Sequence, residues 1–337
     1  MKTIESPTAA WREEVLARSP AAYYTHTPAY QSFCSQAMPV RKDCSLGFEF
    51  DNGTRGFIPI QQVRVMRGIF QSYESCFKGY GGLVADGPLD GGRAREALDA
   101  AVGWCLARRF YRLTLTTSPV DDSGEELLKL EFPSQVTAHR ESADTSVIRL
   151  LLSYDEIARG YRKDRKSDLK RARRAGVQVE VARAESQFQS FHEIYRDRVA
   201  RWGNEAKTNY PPALFRAAYR VSQRDSRLKL WMASHEGKDY AGALILYQGA
   251  TAFYWIGVSL EDDRHSPNTL MLATIIEDAC QRGFKFFDMG HSGRPSLLGF
   301  KGSFGATPMT YQSLTLVKHR AERVLGLARK VRQALHI

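Results

Sequence analysis

The stretch that decides the fold begins Ala252-Phe253-Tyr254-Trp255-Ile256-Gly257-Val258 and breaks at Glu261-Asp262-Asp263-Arg264-His265-Ser266-Pro267-Asn268. It resumes as an apolar-periodic run over Thr269 to Gln281 and enters Phe284-Lys285-Phe286-Phe287-Asp288-Met289, followed by the turn Gly290-His291-Ser292-Gly293-Arg294. Aromatic-rich apolar runs predict the two strands, and a helix from Thr269 to Gln281 lies between them. The order is therefore strand, loop, helix, strand. Working outward, Leu230 to Ala233, a turn near Glu236-Gly237-Lys238, and Ala241 to Tyr247 read as a hairpin. Ahead of it lie two predicted helices, Glu185 to Arg201 and Pro212 to Gln223, joined by the polar loop Trp202 to Tyr210.

The first part of the chain repeats this plan. Gly47 to Phe50, the Asp51-Asn52-Gly53 turn, and Gly56 to Ile60 form a predicted hairpin; an Asn-Gly pair supplies the positive φ that such a turn requires. Ala94 to Arg109 then reads as a helix running into the strand Tyr111 to Thr116. Two similar α/β units in tandem follow, divided as 1–152 and 177–317, with a basic connecting helix at 153–176 and a basic amphipathic helix at 318–337.

Charge is concentrated in the two helical segments. The 337 residues carry 48 Lys and Arg against 37 Asp and Glu, a net of +11. Arg159 to Arg174 alone contributes +7 and Lys318 to Ile337 another +5, so the remainder sums to −1. In the first segment Ile157, Tyr161, Leu169 and Ala172 form the apolar stripe and Gly176 is the expected stop. Its outer face offers Arg162, Lys163, Lys166, Lys170 and Arg173 to a polyanion such as RNA or to a diphosphate. The last segment, with Val324, Leu325, Ala328, Val331 and Leu335 in helical register, suits packing on the second unit or contact with a membrane surface.

Several chemistries are excluded by pattern. There is no GxSxG, Walker, HExxH or strand-linked GxGxxG motif, and the eight histidines and five cysteines show no metal-ligand spacing. No metal is expected. The odd cysteine count without CxxC predicts reduced thiols and a cytoplasmic setting. The start carries an acid and a proline where a signal peptide needs apolar residues, and no run is long and clean enough for a membrane span. The glycine cluster Lys78 to Gly82 precedes Leu83 to Pro88 rather than a helix, so it reads as a turn.

The strand–loop–helix–strand order resembles the acyl-binding core of the Gcn5-related N-acetyltransferase superfamily. There, an Arg/Gln-x-x-Gly-x-Gly/Ala loop holds the pyrophosphate of coenzyme A. Here Arg264 is in place, but Pro267 stands at the glycine position and has no N–H. That departure, the duplication, and Phe300-Lys301-Gly302-Ser303-Phe304-Gly305 together resemble the Fem peptidyltransferase family, without the coiled-coil arm of some members. The resemblance implies two tandem acetyltransferase-like domains, each a mixed central sheet flanked by helices. It implies an acyltransferase moving an amino acid from aminoacyl-tRNA to an amine of an envelope precursor or secondary metabolite.

Lys301 would then face the reacting carbonyl with Phe300 beside it. Asp288 is the expected acceptor or relay of the amine proton, with His291 ranked below it. Asp288 capping its own turn is the alternative. The substrate would lie along Tyr254, Gly257, Val258, Arg264, Asn268, Ser292 and Phe304, with backbone N–H groups near Gly257 and Val258 orienting the donor carbonyl. No tightly bound cofactor is expected. tRNA and an amine-bearing acceptor, nucleotide- or diphosphate-linked, are the expected partners, with peripheral contact at the inner membrane face through 318–337. Two alternatives are a coenzyme A-dependent N-acyltransferase and a non-catalytic nucleic-acid or membrane-surface binder.

Overall fold

The computed structural model describes residues 1–38, 41–65, 70–108, 110–121, 123–203, 208–260, 264–291 and 293–319. The first unit runs β1 (Lys2–Glu5), α1 (Ala9–Arg18), α2 (Pro28–Ala37), β2 (Arg41–Asp43), β3 (Leu46–Glu49), β4 (Arg55–Ile58), β5 (Gln61–Val65), β6 (Phe70–Glu74), β7 (Val84–Ala85), α3 (Gly91–Leu106), β8 (Arg112–Thr116), α4 (Gly124–Lys129) and β9 (Val136–Arg149). The second runs α5 (Tyr154–Arg159), α6 (Lys163–Arg174), β10 (Gln178–Val181), α7 (Glu185–Trp202), α8 (Pro212–Ser222), β11 (Leu228–His235), β12 (Lys238–Gln248), β13 (Thr251–Ser259), α9 (Pro267–Gln281), β14 (Phe286–His291), α10 (Pro295–Gly302) and β15 (Thr307–Lys318).

Local chemistry sets these boundaries. Thr27 caps α2 through its hydroxyl with Pro28 at the first helical position, Asp90 caps α3, and Ser153 with Glu156 forms a capping box on α5. Both expected hairpins form, β3 with β4 and β11 with β12. The predicted single basic helix is in fact two, because the chain turns at Gly160 and restarts at Lys163; Arg162 donates its amide to the Ser303 carbonyl at 2.9 Å. Tyr161 and Leu169 stay on the buried side as expected, and Gly176 ends α6 with φ +74°. The helix expected over 318–337 lies almost wholly outside the described residues.

The sheets of the two units are joined edge to edge. Eleven strands lie in the order β10-β11-β12-β13-β14-β9-β15-β8-β6-β5-β2, and a smaller sheet of β1-β3-β4-β7 flanks them. Each unit contributes one parallel pair, β6 with β8 and β13 with β14, matching the repeat read in the sequence. The closing strands are exchanged. β9 follows β8 in the chain but pairs with β14, and β15 follows β14 but pairs with β8. β9 and β15 then pair with each other from Thr307↔Val147 to Lys318↔Val136. In the second unit α9 lies on β11 and β12, burying Met271, Leu272, Ile275 and Ile276 among Ala243, Ile245 and Phe287.

Candidate active site

The parallel pairing of β13 with β14 covers only Thr251 to Phe253 against Phe286 to Asp288. Beyond it β13 stays bonded to β12 as far as Ser259, while β14, paired with β9 along its other edge from Phe286, runs on to His291 opposite Thr145. Trp255 is an extra residue in the β12–β13 register, and this bulge turns the strand away from β14. The result is a wedge between two parallel strands, with Asp288 at its apex.

Asp288 is completely buried. Its carboxylate accepts from the Thr145 hydroxyl at 2.5 Å, the Gly290 amide at 2.8 Å and the Tyr23 hydroxyl at 3.0 Å. Burial raises its pKa above the ordinary carboxylate value, and these donors work against that rise. Expected to take the amine proton, Asp288 is sealed from a substrate and instead caps its own turn. Any relay from it runs through Tyr23 or Thr145. Gly290 has φ +75°, a conformation that a side chain would strain, and this points its carbonyl toward α10.

α10 returns Lys301 over that carbonyl. The Lys301 ammonium donates to Gly290 O at 2.7 Å and His291 O at 3.2 Å, and the residue is only 7% exposed. Two of its three N–H groups are thereby committed and one is left for a ligand. Burial lowers its pKa to about 8, while the charge of Asp288 acts to raise it. Lys301 is thus a buried, oriented cation beside the wedge. Phe300 is half-buried, with the Arg165 guanidinium 5.5 Å from its ring centre. His291 is exposed, and its Nδ1 lies 2.9 Å from the Asp144 carbonyl. In the neutral ring that bond fixes the proton on Nδ1 and leaves Nε2 as an acceptor.

The other expected positions divide. Tyr254 folds back on its own strand, so that a Cβ at Gly257 would fall 1.6 Å from the Tyr254 hydroxyl. Val258 is buried on the same strand. Phe304 was expected to touch substrate, but it is fully buried and packs edge-on against Tyr161 and Phe300; apolar packing claims it entirely. Ser292 lies outside the described residues. Lys163, Lys170 and Arg173 are exposed along α6. Arg162 pairs with Asp164 at 2.5 Å, and Lys166 donates to the Arg159 carbonyl at 2.6 Å.

The mouth of α9 has its own character. Ser266 precedes it in the left-handed region, Pro267 supplies no N–H, and the Thr269 and Leu270 amides both return to the Ser266 carbonyl. Two α6 side chains fill the approach, with Arg171 on the Ser266 hydroxyl and Arg165 on the Thr269 hydroxyl at 3.1 Å. Arg264 is exposed beside it, and Asn268 holds a buried Oδ1 with no partner among the described residues. A coenzyme A pyrophosphate needs a run of outward amides. This mouth has no such run of amides: Pro267 supplies none, and the Thr269 and Leu270 amides are turned back on Ser266.

Sequence reasoning missed the contribution of the first unit. Tyr23 packs edge-on against Tyr80 and Phe253 around Asp288, with Tyr311 behind Tyr80. The glycine cluster explains Tyr80. A Cβ at Gly81 would fall 2.2 Å from the Ser75 carbonyl, so these glycines let the chain pass closely enough to seat the ring. The run Tyr23-Tyr24-Thr25-His26-Thr27, all buried, was the available signal. So many ring and hydroxyl groups in a short connection between helices mark a segment held inside the molecule.

A parallel strand pair in each unit, splayed and bulged in the second with a helix after it, and the exchanged closing strands define a tandem acetyltransferase fold of the Fem-like kind. The family model described as "Acetyltransferase (GNAT) domain" matches residues 159–301, which lie in the second unit. Among solved structures, FemX is 14% identical, with 93% of this chain and 97% of that chain covered at a TM-score of 0.72. The C-terminal domain of a putative lysylphosphatidylglycerol synthetase from Agrobacterium fabrum is 13% identical, with 95% and 94% covered at 0.52. A tandem GNAT protein from the clavulanic acid biosynthesis pathway is 13% identical, with 94% and 98% covered at 0.51. At these identities the likeness is one of fold. No curated protein matches the sequence.

Proposed function

We propose that the protein is an aminoacyltransferase, moving an amino acid from aminoacyl-tRNA to an amine of an envelope precursor or secondary metabolite. The observation that carries this reading is Lys301, a buried ammonium held on two carbonyls at the open end of the β13–β14 wedge. The amine attacks the ester carbonyl and a C–N bond forms. The remaining Lys301 N–H donates to the developing oxyanion, and the ester C–O bond then breaks. Nε2 of His291 is the acceptor for the amine proton, which passes to the departing ribose oxygen. Phosphates of the tRNA lie along Lys166, Lys170 and Arg173, and Arg162 serves a diphosphate on the acceptor.

The lack of outward amides at the mouth of α9 supports a donor other than coenzyme A, and FemX and the lysylphosphatidylglycerol synthetase domain share the fold. The GNAT match over 159–301 favours one competing reading, a coenzyme A-dependent N-acyltransferase. The test supplies the protein with a mixed pool of charged tRNAs and, separately, with acetyl-coenzyme A, each with a panel of amines, and follows adducts by mass spectrometry. Aminoacylated product from the tRNA arm, absent in Lys301→Met, supports the proposal. Product from the coenzyme A arm alone overturns it. We also place the reaction in the cytoplasm, where charged tRNA is found; among the described residues no helix is long and apolar enough to cross a membrane.

A further inference from the structure

Among the described residues four large apolar side chains are exposed, and they come in two adjacent pairs: Leu151 with Leu152, and Leu297 with Leu298. The second pair sits on α10, the helix that carries Lys301. From Pro295 to Gly299 every residue of α10 is exposed, with Leu297 at 46% and Leu298 at 49%. Only Lys301, near its far end, is buried. A helix whose leucines face water lacks apolar burial that an apolar phase would restore.

The charge around it is mostly positive, with Asp164 paired to Arg162 and Arg165 at the start of α6. No acid occurs between Gly290 and Gly305, and Arg294 directly precedes α10. The Arg162 amide bonds the Ser303 carbonyl, so the cationic start of α6, with Arg162 and Lys163 exposed, lies beside the end of α10. The Arg165 guanidinium stands over Phe300. Leucines projecting from a rim of cations match a bilayer interface bearing anionic headgroups, where apolar insertion and charge attraction add. RNA would use the cations and leave the leucines idle.

We propose that α10, with the cations at the start of α6, docks on the anionic face of a lipid bilayer and so presents the Lys301 site to a membrane-borne acceptor. The docking itself does not rest on the transfer chemistry, so the two can fail separately. Full-length protein is sedimented with vesicles of phosphatidylcholine alone and of phosphatidylcholine with phosphatidylglycerol. Wild type partitions onto the anionic vesicles. The Leu297→Ser/Leu298→Ser variant loses that partitioning by roughly tenfold or more, as burial of two half-exposed leucines implies.

Leu151→Ser/Leu152→Ser is the matched control. Those residues lie at the other end of β14, since the Leu150 amide bonds the Lys285 carbonyl, and this variant partitions as wild type does. All three proteins should melt alike, because the substituted side chains are exposed. Equal partitioning of wild type and the Leu297/Leu298 variant overturns the proposal, as does equal binding to both vesicle types. Retention on bulk tRNA, unaffected by the leucine changes and without vesicle binding, assigns the surface to RNA and also overturns it. Vesicle binding without any transfer activity upholds the docking and removes the transferase reading instead.

Discussion

At the scale of the residue, the proposed chemistry rests on one cation kept from water. A lysine with its pKa lowered to about 8 is still mostly protonated at neutral pH and loses its charge as the pH rises through 8. If the ammonium stabilises the oxyanion, transfer rates at saturating donor fall above about pH 8. Lys301→Met should lower the rate roughly 100- to 1,000-fold, the size seen when an oxyanion donor is removed. A pH profile of kcat without a limb near 8 would remove the lysine from the chemistry. Asp288 makes a separate prediction. Tyr23→Phe takes a hydroxyl from a fully buried carboxylate and should cost about 1–3 kcal/mol of stability in urea unfolding. Lys301 was legible in the sequence because a short run of residues carried it. Tyr23, Tyr80 and Thr145 were not, because they meet Asp288 across separations of more than a hundred residues and no local pattern encodes such a meeting.

Among the elements, the hairpins, the helix–strand repeats and the stop at Gly176 followed from periodicity and turn chemistry, and all of them formed. The break at Gly160 did not follow, because the apolar stripe continues across it and the interruption comes from a tertiary bond to Ser303. Nor did the exchange of β9 and β15, since alternation identifies a strand but not its partner. On α6 the positions Lys166, Lys170 and Arg173 follow the i, i+4, i+7 rule and are exposed. Reversing all three to Glu should weaken tRNA binding and flatten its dependence on log salt by roughly 2–3 units, about 0.7–0.9 for each phosphate no longer neutralised. Fluorescence anisotropy with labelled tRNA over a salt series measures the slope; an unchanged slope would show that the RNA, if bound at all, lies elsewhere.

For the whole molecule, strand exchange and the Tyr23 segment make the two units depend on each other. β9 completes the sheet of the second unit and β15 that of the first, so separating them exposes two long edges at once. Urea unfolding followed by tryptophan fluorescence and by far-ultraviolet circular dichroism should therefore give coincident single transitions. His26 adds a pH dependence to that shared stability. It lies fully buried in the turn that brings Tyr23 to Asp288; its Nδ1 accepts the Tyr23 amide at 3.0 Å, and its Nε2 has no partner among the described residues. Burial lowers its pKa from 6.5 to about 4. Between those values the unfolded chain binds a proton that the folded chain refuses, so stability is full above about pH 6.5 and falls as the pH drops toward 4. Each pH step of one across that window removes about 1.36 kcal/mol, so the whole loss is on the order of 3 kcal/mol. Carboxylates also titrate there, so the informative quantity is the difference between wild type and His26→Gln. The variant should be less stable at pH 7 and should close part of the gap as the pH falls to 4. Parallel stability curves for the two proteins would mean that His26 takes up its proton in the folded state, and the turn would then not be the point at which acid loosens the join between the units.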